Sequence, residues 1–404
     1  MVSLEQRRKD IFDLIDKLDI SPAMYKNAVE KYKNITTYLE QHGVNAVFYP
    51  QGSFALGTVV RPYAKDKECA YDLDFICQLK AMSKENNAKE VKESVGEILE
   101  SSDLYDGKLT EYDECYKIEY AEINNVGFSM DIVPSVDEDE EKKVILKSKC
   151  KNPELIETAI AIPSQNKWLT NNPKGYKEWF DSINEPFKRF NRETRRRVLY
   201  ESAKAIYASV EDVPEGLERS SLQRVIQIFK HHRNVYFANK PNSTKPLSAI
   251  ITTLAAQIAK SAPNHYGVFE LLDFIAKELA VYSKHQNLNE AVFKSSYPSK
   301  EIITRNAGKW KIENPANPED NLASEWNENN TSATDFFNWV SIVTKDLISS
   351  LFESDEKFKS SVESAFGFNF ASKNVDLKKY NKSIPTSFTP GTQKSPWSAC
   401  NVNH

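Results

Sequence analysis

Residues 71–77 read YDLDFIC, a stretch that decides the fold because it joins the apolarity of a buried strand to two carboxylates. Side chains alternate between faces in an extended chain, so Leu73, Phe75 and Cys77 point to one side. Asp72 and Asp74 then lie together on the other side. Two neighbouring ionised carboxylates at a sheet surface are unfavourable unless a cation or solvent shares the site. The pattern therefore predicts a strand whose polar face faces either a metal ion or water.

A glycine-containing segment, QGSFALGT at 51–58, precedes this strand. Its two glycines allow the backbone to approach a ligand closely, and the hydroxyls of Ser53 and Thr58 can bond phosphate oxygens. Taken alone, such a segment is more typical of a simple turn between a strand and a helix. The segment becomes a candidate phosphate-binding segment only because of the carboxylates that follow it in the sequence.

A third carboxylate occurs on a later predicted strand, GFSMDIVPSV at 127–136. Asp131 shares a face of that strand with Ser129. If the two strands are neighbours, Asp131 joins Asp72 and Asp74 around two divalent ions about 3.5–4 Å apart, an arrangement used for in-line phosphoryl displacement. Oxygen ligands combined with substrate phosphates favour Mg²⁺, with Mn²⁺ as the alternative. We expect Asp131 to hold the side of the attacking hydroxyl.

The composition is that of an ordinary globular protein with 404 residues, of which 40% are hydrophobic, and a formal net charge of −4. No global basic field favours long nucleic acids, whereas small anionic ligands are allowed. The five scattered cysteines are expected to be reduced thiols. The charged N-terminus and the lack of any long apolar run predict no membrane segment and a cytoplasmic location.

Hydrophobic periodicity predicts an α+β protein with four regions. These are N-terminal helices at 1–42, a sheet-containing lobe with the three aspartates at 43–180, a helical lobe at 181–371 and a polar tail at 372–404. The tail is assigned because periodic apolar residues become sparse and prolines appear. Within the helical lobe, the pattern predicts helices at about 221–237, 247–260, 267–284 and 333–352.

One lysine of the helical lobe is a candidate ligand-binding residue. Ser220 and Gln223 form a capping-box pattern before an apolar stripe, and Lys230 falls on the flank of that stripe. Its ammonium could enter a cleft while its stem packs on apolar neighbours. An exposed lysine near the end of a helix would need no function, and the pattern alone leaves both interpretations open.

The order of a glycine-serine segment, a D-x-D strand and a later aspartate resembles the polymerase-β-like nucleotidyltransferase superfamily. The resemblance extends to the cGAS/DncV-like bacterial nucleotidyltransferases (CD-NTases) over roughly residues 1–290. The segments that carry it are QGSFALGTVVRP, YDLDFICQL, MDIVPSV, SLQRVIQIFKHHRNVYF and KPLSAIITTLAA.

The resemblance implies a nucleotidyltransferase sheet lobe with N-terminal helices, packed on a helical C-terminal lobe, with ATP or GTP in the cleft between them. The residues that match functional positions of the family are Gln51, Gly52 and Ser53 for nucleotide phosphates, Asp72, Asp74 and Asp131 for metal, and Lys230 and Ser248 for the triphosphate.

The resemblance also implies a function: Mg²⁺-dependent synthesis of a cyclic di- or trinucleotide second messenger from ATP and GTP, with release of pyrophosphate, in anti-phage defence. A regulatory or defence-operon protein is the implied partner. Two alternatives are a template-independent enzyme that modifies RNA or protein, and an inactive nucleotide-binding module. The acidic net charge disfavours the RNA-modifying enzyme, and retention of all three aspartates disfavours the inactive module. Base choice, linkage and ring size stay open.

Overall fold

The structure, a computed structural model, describes residues 2–61, 63–64, 67–123, 126–165, 167–203 and 218–381. Its α-helices are α1 (Leu4–Asp16), α2 (Pro22–Gln41), α3 (Gly52–Leu56), α4 (Ala88–Glu100), α5 (Glu140–Lys149), α6 (Pro173–Ala203), α7 (Ser221–Ala238), α8 (Ser248–Ala259), α9 (Val268–Tyr282), α10 (Glu290–Ser296), α11 (Ser324–Glu328), α12 (Ser332–Leu347), α13 (Asp355–Phe366) and α14 (Phe368–Asn374). Short 3₁₀ helices occur at Pro153–Thr158, Ser283–Gln286, Ser349–Phe352 and Leu377–Tyr380.

The strands are β1 (Ala46–Pro50), β2 (Tyr63–Ala64), β3 (Lys67–Glu68), β4 (Tyr71–Leu79), β5 (Leu109–Glu111), β6 (Tyr116–Ile123), β7 (Val126–Asp137), β8 (Ile160–Ser164), β9 (Lys167–Asn171), β10 (Thr304–Asn306), β11 (Lys309–Lys311), β12 (Glu313–Asn314) and β13 (Asn317–Asn321). The predicted α+β class, a sheet combined with a helical C-terminal region, is confirmed.

The central sheet has the strand order β1-β4-β7-β6-β5, and β8 and β9 continue it from the end of β7. Strand β4 runs parallel to β7 but antiparallel to β1, and β6 runs antiparallel to β7. This topology makes β4 a central strand, so it is covered by neighbours on both edges. The apolar residues Leu73, Phe75 and Cys77 of β4 are all buried, as their alternation predicts.

The two N-terminal helices, α1 and α2, pack against different hydrophobic cores, α1 against the core of the helical region and α2 against the core of the sheet. Helix α4 buries Val91, Val95 and Leu99, which are four residues apart and therefore share one face, against the sheet core. Helix α2 packs on the same core. In contrast, α1 places Leu14 and Ile15 in the core formed by α6 to α9, α12 and α13. The first helix thus belongs to the helical core and the second to the sheet core.

The change from sheet to helical region does not coincide with residue 180. The last strand of the sheet, β9, ends at Asn171, and α6 then runs unbroken through position 180. Phe180 and Phe187 of this helix are buried in the helical core. The helical region also contains the hairpins β10–β11 and β12–β13, which the periodicity did not predict.

Residues 372–381, the part of the predicted polar tail that the structure describes, pack onto the helical core. Leu377 and Tyr380 are buried there. The hydroxyl of Tyr380 donates a hydrogen bond to Asp10 of α1, and Lys379 Nζ lies 2.7 Å from the same carboxylate. This segment therefore connects the C-terminal end of the described chain to the first helix. Residues 382–404 lie outside the described part.

We expect Tyr380→Ala to lower the free energy of unfolding by about 3–5 kcal/mol, because it removes a fully buried aromatic side chain. Tyr380→Phe keeps the ring and removes only the bond to Asp10, so its cost should be about 1–3 kcal/mol. Urea unfolding of the three proteins measures both values. Equal stability of wild type and Tyr380→Ala would show that this segment does not anchor the chain.

Candidate active site

Three carboxylates lie on one face of the central sheet. Asp72 and Asp74 alternate to the same side of β4, and the parallel register places Asp131 of β7 directly opposite Asp74. Residues opposite each other on neighbouring strands point to the same face and are only about 5 Å apart. The structure therefore brings together the three aspartates that the sequence singled out.

The electrostatics of this face are dominated by excess negative charge. Burial, with the added charges of Asp72 and Asp131, raises the pKa of Asp74 to about 7. Lys117 and Lys230 act in the opposite direction but do not cancel the rise. A group whose pKa is raised in this way ionises more readily when a cation comes near.

Lys117 on β6 is a charged neighbour of Asp131 that the sequence analysis missed. It is the antiparallel partner of Asp131, and its Nζ lies 3.1 Å from Asp131 Oδ1. Burial still raises the pKa of Asp131, against the opposing effect of Lys117. The position of Lys117 in the sequence does not indicate this contact, because only the register of the folded sheet sets Lys117 against Asp131.

The donor set fits a divalent cation that is shared with a ligand. Within the described ranges, no three carboxylate, imidazole or thiol groups are arranged to hold a metal ion by protein atoms alone. Mg²⁺ is usually held by one or two carboxylates together with substrate phosphates and water. Asp72 and Asp74, with Asp131 beside them, supply the oxygen ligands and the uncompensated charge that such a shared site requires.

The glycine-serine segment forms a short helix, α3, and is not the simple turn that such a segment would indicate if taken alone. Gly52 begins it with φ +60°, and a Cβ at this position would lie 3.0 Å from Asp74 Oδ2. The backbone N–H of Gln51 donates to the carbonyl of Asp74 at 2.8 Å. Glycine is therefore required at 52 for two reasons, backbone conformation and space, and the segment is held directly against the carboxylates.

Three side chains of α7 form hydrogen bonds with residues 56–59 and so attach α7 to the segment that follows α3. Gln223, Gln227 and Lys230 are spaced four and three residues apart, so they lie along one face of the helix. The two amides donate to backbone carbonyls of this segment at 2.8 and 2.6 Å. Lys230 Nζ donates to the carbonyl and the hydroxyl of Thr58 at 3.3 and 3.0 Å. The capping box of α7, predicted from Ser220 and Gln223, is confirmed.

Lys230 is buried, with 3% of its surface exposed. It is therefore not an exposed lysine of the kind that would need no function. Burial, helped by the positive charge of Arg233, lowers the pKa of Lys230 to about 7. The negative charges of Asp72 and Asp74 act to raise it. An anion in the cleft would favour its charged form further.

Ser248, at the start of α8, lies beside a second cation. Arg233 Nη1 donates to Ser248 Oγ and to the carbonyl of Pro246, both at 2.9 Å. Lys245 also lines the same cavity. The sequence analysis named neither Arg233 nor Lys245. Arg233 could have been found, because it follows Lys230 by three residues and thus lies on the same side of the helix.

These groups surround a cavity of about 500 Å³ between the sheet and helices α7 and α8, a size that suits a nucleotide. Tyr176 of α6 and residues of the hairpin β12–β13 also line it. Asp131 lies next to the cavity but does not line it. The predicted residues that do line it are Gln51, Gly52, Ser53, Asp72, Asp74, Lys230 and Ser248.

A larger cavity of about 890 Å³ lies on the other side of α3. Its central carboxylate, Asp19, is paired with Arg219 at 3.2 Å and with Arg224 at 2.7 Å. The carboxylates that the sequence singled out, Asp72 and Asp74, line the smaller cavity, which is therefore the candidate active site.

Comparison with known proteins finds a family match for the sheet side of this cavity. Residues 46–134, from β1 into β7, match the family model described as the nucleotidyltransferase domain of DncV-like cyclic GMP-AMP synthases. This range contains all three aspartates. The predicted resemblance to the cGAS/DncV-like nucleotidyltransferases is thus confirmed.

Two curated relatives are similar over most of the chain. A c-di-GMP synthase from Roseivirga ehrenbergii is 29% identical over 284 residues, which are 70% of this chain and 62% of the relative. The cyclic dinucleotide synthase CdnG from Bradyrhizobium diazoefficiens is 25% identical over 258 residues, which are 61% of this chain and 58% of that protein. The match thus spans about three fifths of each relative's length.

Solved structures share the fold. The CD-NTase CdnG of Bradyrhizobium diazoefficiens in complex with GTP superimposes with a TM-score of 0.62 at 21% identity, covering 90% of this chain and 96% of that one. The CdnC:HORMA-deltaN complex of E. coli MS115-1 gives a TM-score of 0.55 at 12% identity, covering 90% of this chain and 97% of that one.

In the described part of this chain, every helix is too short or too polar to span a bilayer.

Proposed function

We propose, from the premise that residues 46–134 are a DncV-like nucleotidyltransferase domain, that this protein joins nucleoside triphosphates into a cyclic dinucleotide and releases pyrophosphate. The observation that carries the proposal is the cleft itself. Its sheet side presents the carboxylates of Asp72 and Asp74, and its helical side presents the cations Lys230 and Arg233. A triphosphate bound to metal needs both kinds of group within one small cavity.

The triphosphate would lie along the helical wall of the cleft. Lys230 offers an ammonium close to the carboxylates, and Arg233 and Lys245 add positive charge along the same wall. Ser53, next to the backbone of Gly52, supplies a hydroxyl from the sheet side. Positive groups held in a partly enclosed site stabilise the charge that develops on the leaving pyrophosphate.

Asp72, Asp74 and Asp131 would hold Mg²⁺, as two ions with Mn²⁺ as a substitute. The bound metal would neutralise phosphate charge and lower the pKa of the attacking ribose hydroxyl. Asp131 lies beside Asp74 on the neighbouring strand and outside the cavity lining, which supports its assignment to the side of the attacking hydroxyl. Lys117 would keep Asp131 oriented and balance its charge before substrate arrives.

The names of the relatives support a cyclic dinucleotide, and GTP as one of the substrates, with ATP as the other nucleotide to test. Signalling in anti-phage defence, with a protein regulator, is proposed from the family resemblance. The CdnC complex with HORMA-deltaN supports a regulator in a protein of this fold.

Incubation of the protein with GTP and ATP in Mg²⁺, followed by mass spectrometry of the products, tests the reaction. A cyclic dinucleotide together with pyrophosphate is the expected result. Transfer of nucleotides to added RNA or to protein, without a cyclic product, would contradict the proposal and favour a polymer-modifying enzyme.

We expect GTP and Mg²⁺ together to raise the melting temperature by more than the sum of their separate effects. The triphosphate completes the coordination that the carboxylates leave open, so each ligand increases the affinity for the other. Differential scanning fluorimetry at matched ionic strength measures the shifts, with Ca²⁺ as a comparison cation. Additive shifts would place metal and nucleotide at independent sites.

A further inference from the structure

The hairpin β12–β13 contributes two polar side chains to the lining of the cleft. Asn314 of β12 and Asp320 of β13 both line the cavity, as does Tyr176 of α6. The reaction proposed above assigns no role to these residues. The cations and the aspartates of the cleft belong to other elements, namely β4, α7 and the segment before α8, so the hairpin and Tyr176 are the part of the lining left for the nucleobase.

The Asp320 carboxylate is held in one orientation. Asn314 Nδ2 donates to Asp320 Oδ2 at 2.9 Å, and Asn314 Oδ1 accepts from the backbone N–H of Ala316 at 3.0 Å. The second bond fixes which end of the amide faces Asp320. Among the described residues, no lysine or arginine forms an ion pair with Asp320, so its acceptor capacity is not consumed by a cation.

The hairpin is itself fastened to the sheet region. Asn317 Nδ2 donates to the carbonyl of Thr170 at 2.9 Å, and Asn172 Nδ2 donates to the carbonyl of Ala316 at 3.0 Å. Lys142 Nζ lies 2.6 Å from Glu319. Contacts on both sides hold the carboxylate at a fixed place in the cleft, which is what selective recognition requires.

Tyr176 adds an aromatic ring to this part of the lining. Its hydroxyl is bonded to Thr253 Oγ1 at 2.7 Å, which fixes the ring against α8. Burial raises the pKa of Tyr176, and the negative charge of Asp320 adds to the rise, so the two side chains are electrostatic neighbours. The lining thus includes an aromatic side chain and a carboxylate acceptor, the two kinds of group that bind a base by stacking and by hydrogen bonding.

We propose, on the basis of the function above, that Asp320 selects guanine by accepting hydrogen bonds from N1–H and the N2 amino group. The two carboxylate oxygens match two adjacent donors of the guanine edge. Adenine presents an unprotonated N1 at the corresponding position, and its lone pair is repelled by the carboxylate. The cleft is therefore a guanine site because of Asp320, with Asn314 as the residue that positions it.

The test is equilibrium binding of hydrolysis-resistant GTP, ITP and ATP analogues to the full chain in Mg²⁺, compared between wild type and Asp320→Asn. The asparagine keeps an acceptor for Asn314, so the hairpin should stay folded. We expect the variant to lose about 10–100-fold in affinity for the GTP analogue and none for the ATP analogue. The ITP analogue, which lacks the N2 amino group, should bind wild type with intermediate affinity.

Glu313→Gln, on the same hairpin but outside the cleft, is the matched control and should leave all three affinities unchanged. Equal losses for GTP and ATP analogues in Asp320→Asn would overturn the inference, because they would assign Asp320 to the ribose, which both nucleotides share. Absence of binding of any analogue to wild type would contradict the proposed function itself. Tight binding of both analogues to wild type with no preference would refute only the guanine selection.

Discussion

Replacing Asp72 and Asp74 together by asparagine is expected to reduce formation of the cyclic product by about 10³-fold or more, because several kcal/mol of metal-dependent stabilisation is lost. Asparagine has nearly the same volume as aspartate but carries no charge. The rate is measured as pyrophosphate release under saturating GTP and Mg²⁺. Exposed carboxylates on the loop before β5 provide the matched control, Asp103→Asn with Asp106→Asn, which should retain wild-type activity. Normal activity of the Asp72 and Asp74 double variant would exclude this pair as metal ligands.

The same double variant should be more stable than wild type when metal is absent. In the folded protein, burial together with Asp72 and Asp131 raises the pKa of Asp74 to about 7. The ionised carboxylate therefore destabilises the fold fully above pH 7. This cost declines as pH falls and disappears near pH 4, where the carboxyl is protonated in the folded and unfolded states alike.

Melting temperatures in EDTA between pH 4 and pH 8.5 measure that dependence. The advantage of the double variant over wild type should be largest at the alkaline end and should vanish at the acidic end. A difference that stays constant across this range would show that charge repulsion at Asp74 is not its cause.

Replacing Lys230 by methionine is expected to weaken binding of a GTP analogue by about 30–100-fold, the value of one hydrogen bond to a charged phosphate. Methionine fills the space of the lysine stem, whereas alanine would leave a cavity at this buried position. Isothermal titration in Mg²⁺ measures the affinity. The exposed Lys240, just beyond the end of α7, provides the control variant Lys240→Met, which should bind normally.

The stability of the nucleotide-free Lys230→Met protein should not fall. Burial and Arg233 lower the pKa of Lys230 to about 7, so the native lysine itself destabilises the fold, by the largest amount below pH 7. This cost decreases as pH rises above 7 and is gone near the usual pKa of lysine. Unchanged nucleotide affinity in the variant would remove Lys230 from the binding site.

Local sequence patterns predicted those parts of the molecule that depend on local physics. The two-residue alternation of β4 correctly separated Leu73 and Phe75 from the polar face of Asp72 and Asp74. The cap of α7 was equally local, because Ser220 and its partner lie three residues apart. Such features need no knowledge of what packs against them.

Features that depend on distant contacts were not predicted. Lys117 reaches Asp131 only through the register of β6 on β7, and Asp320 enters the cleft only because its hairpin bonds to residues far earlier in the chain. The short tail segment looked polar, yet Tyr380 finds its partner 370 residues away in Asp10. Alternation and spacing contain no information about such pairings.

The bonds between Lys230 and Thr58 also set a limit on how the lysine meets a substrate. A lysine ammonium has three N–H donors, and two of them already go to the carbonyl and hydroxyl of Thr58. One donor is left for a phosphate oxygen, so the lysine can address a single oxygen along a single direction. An arginine at this position would carry the same charge but present a planar fork of donors that fits neither Thr58 nor that direction. We therefore expect phosphate binding at position 230 to depend on the one unused N–H donor and its direction, and a positive charge without that donor would not be sufficient.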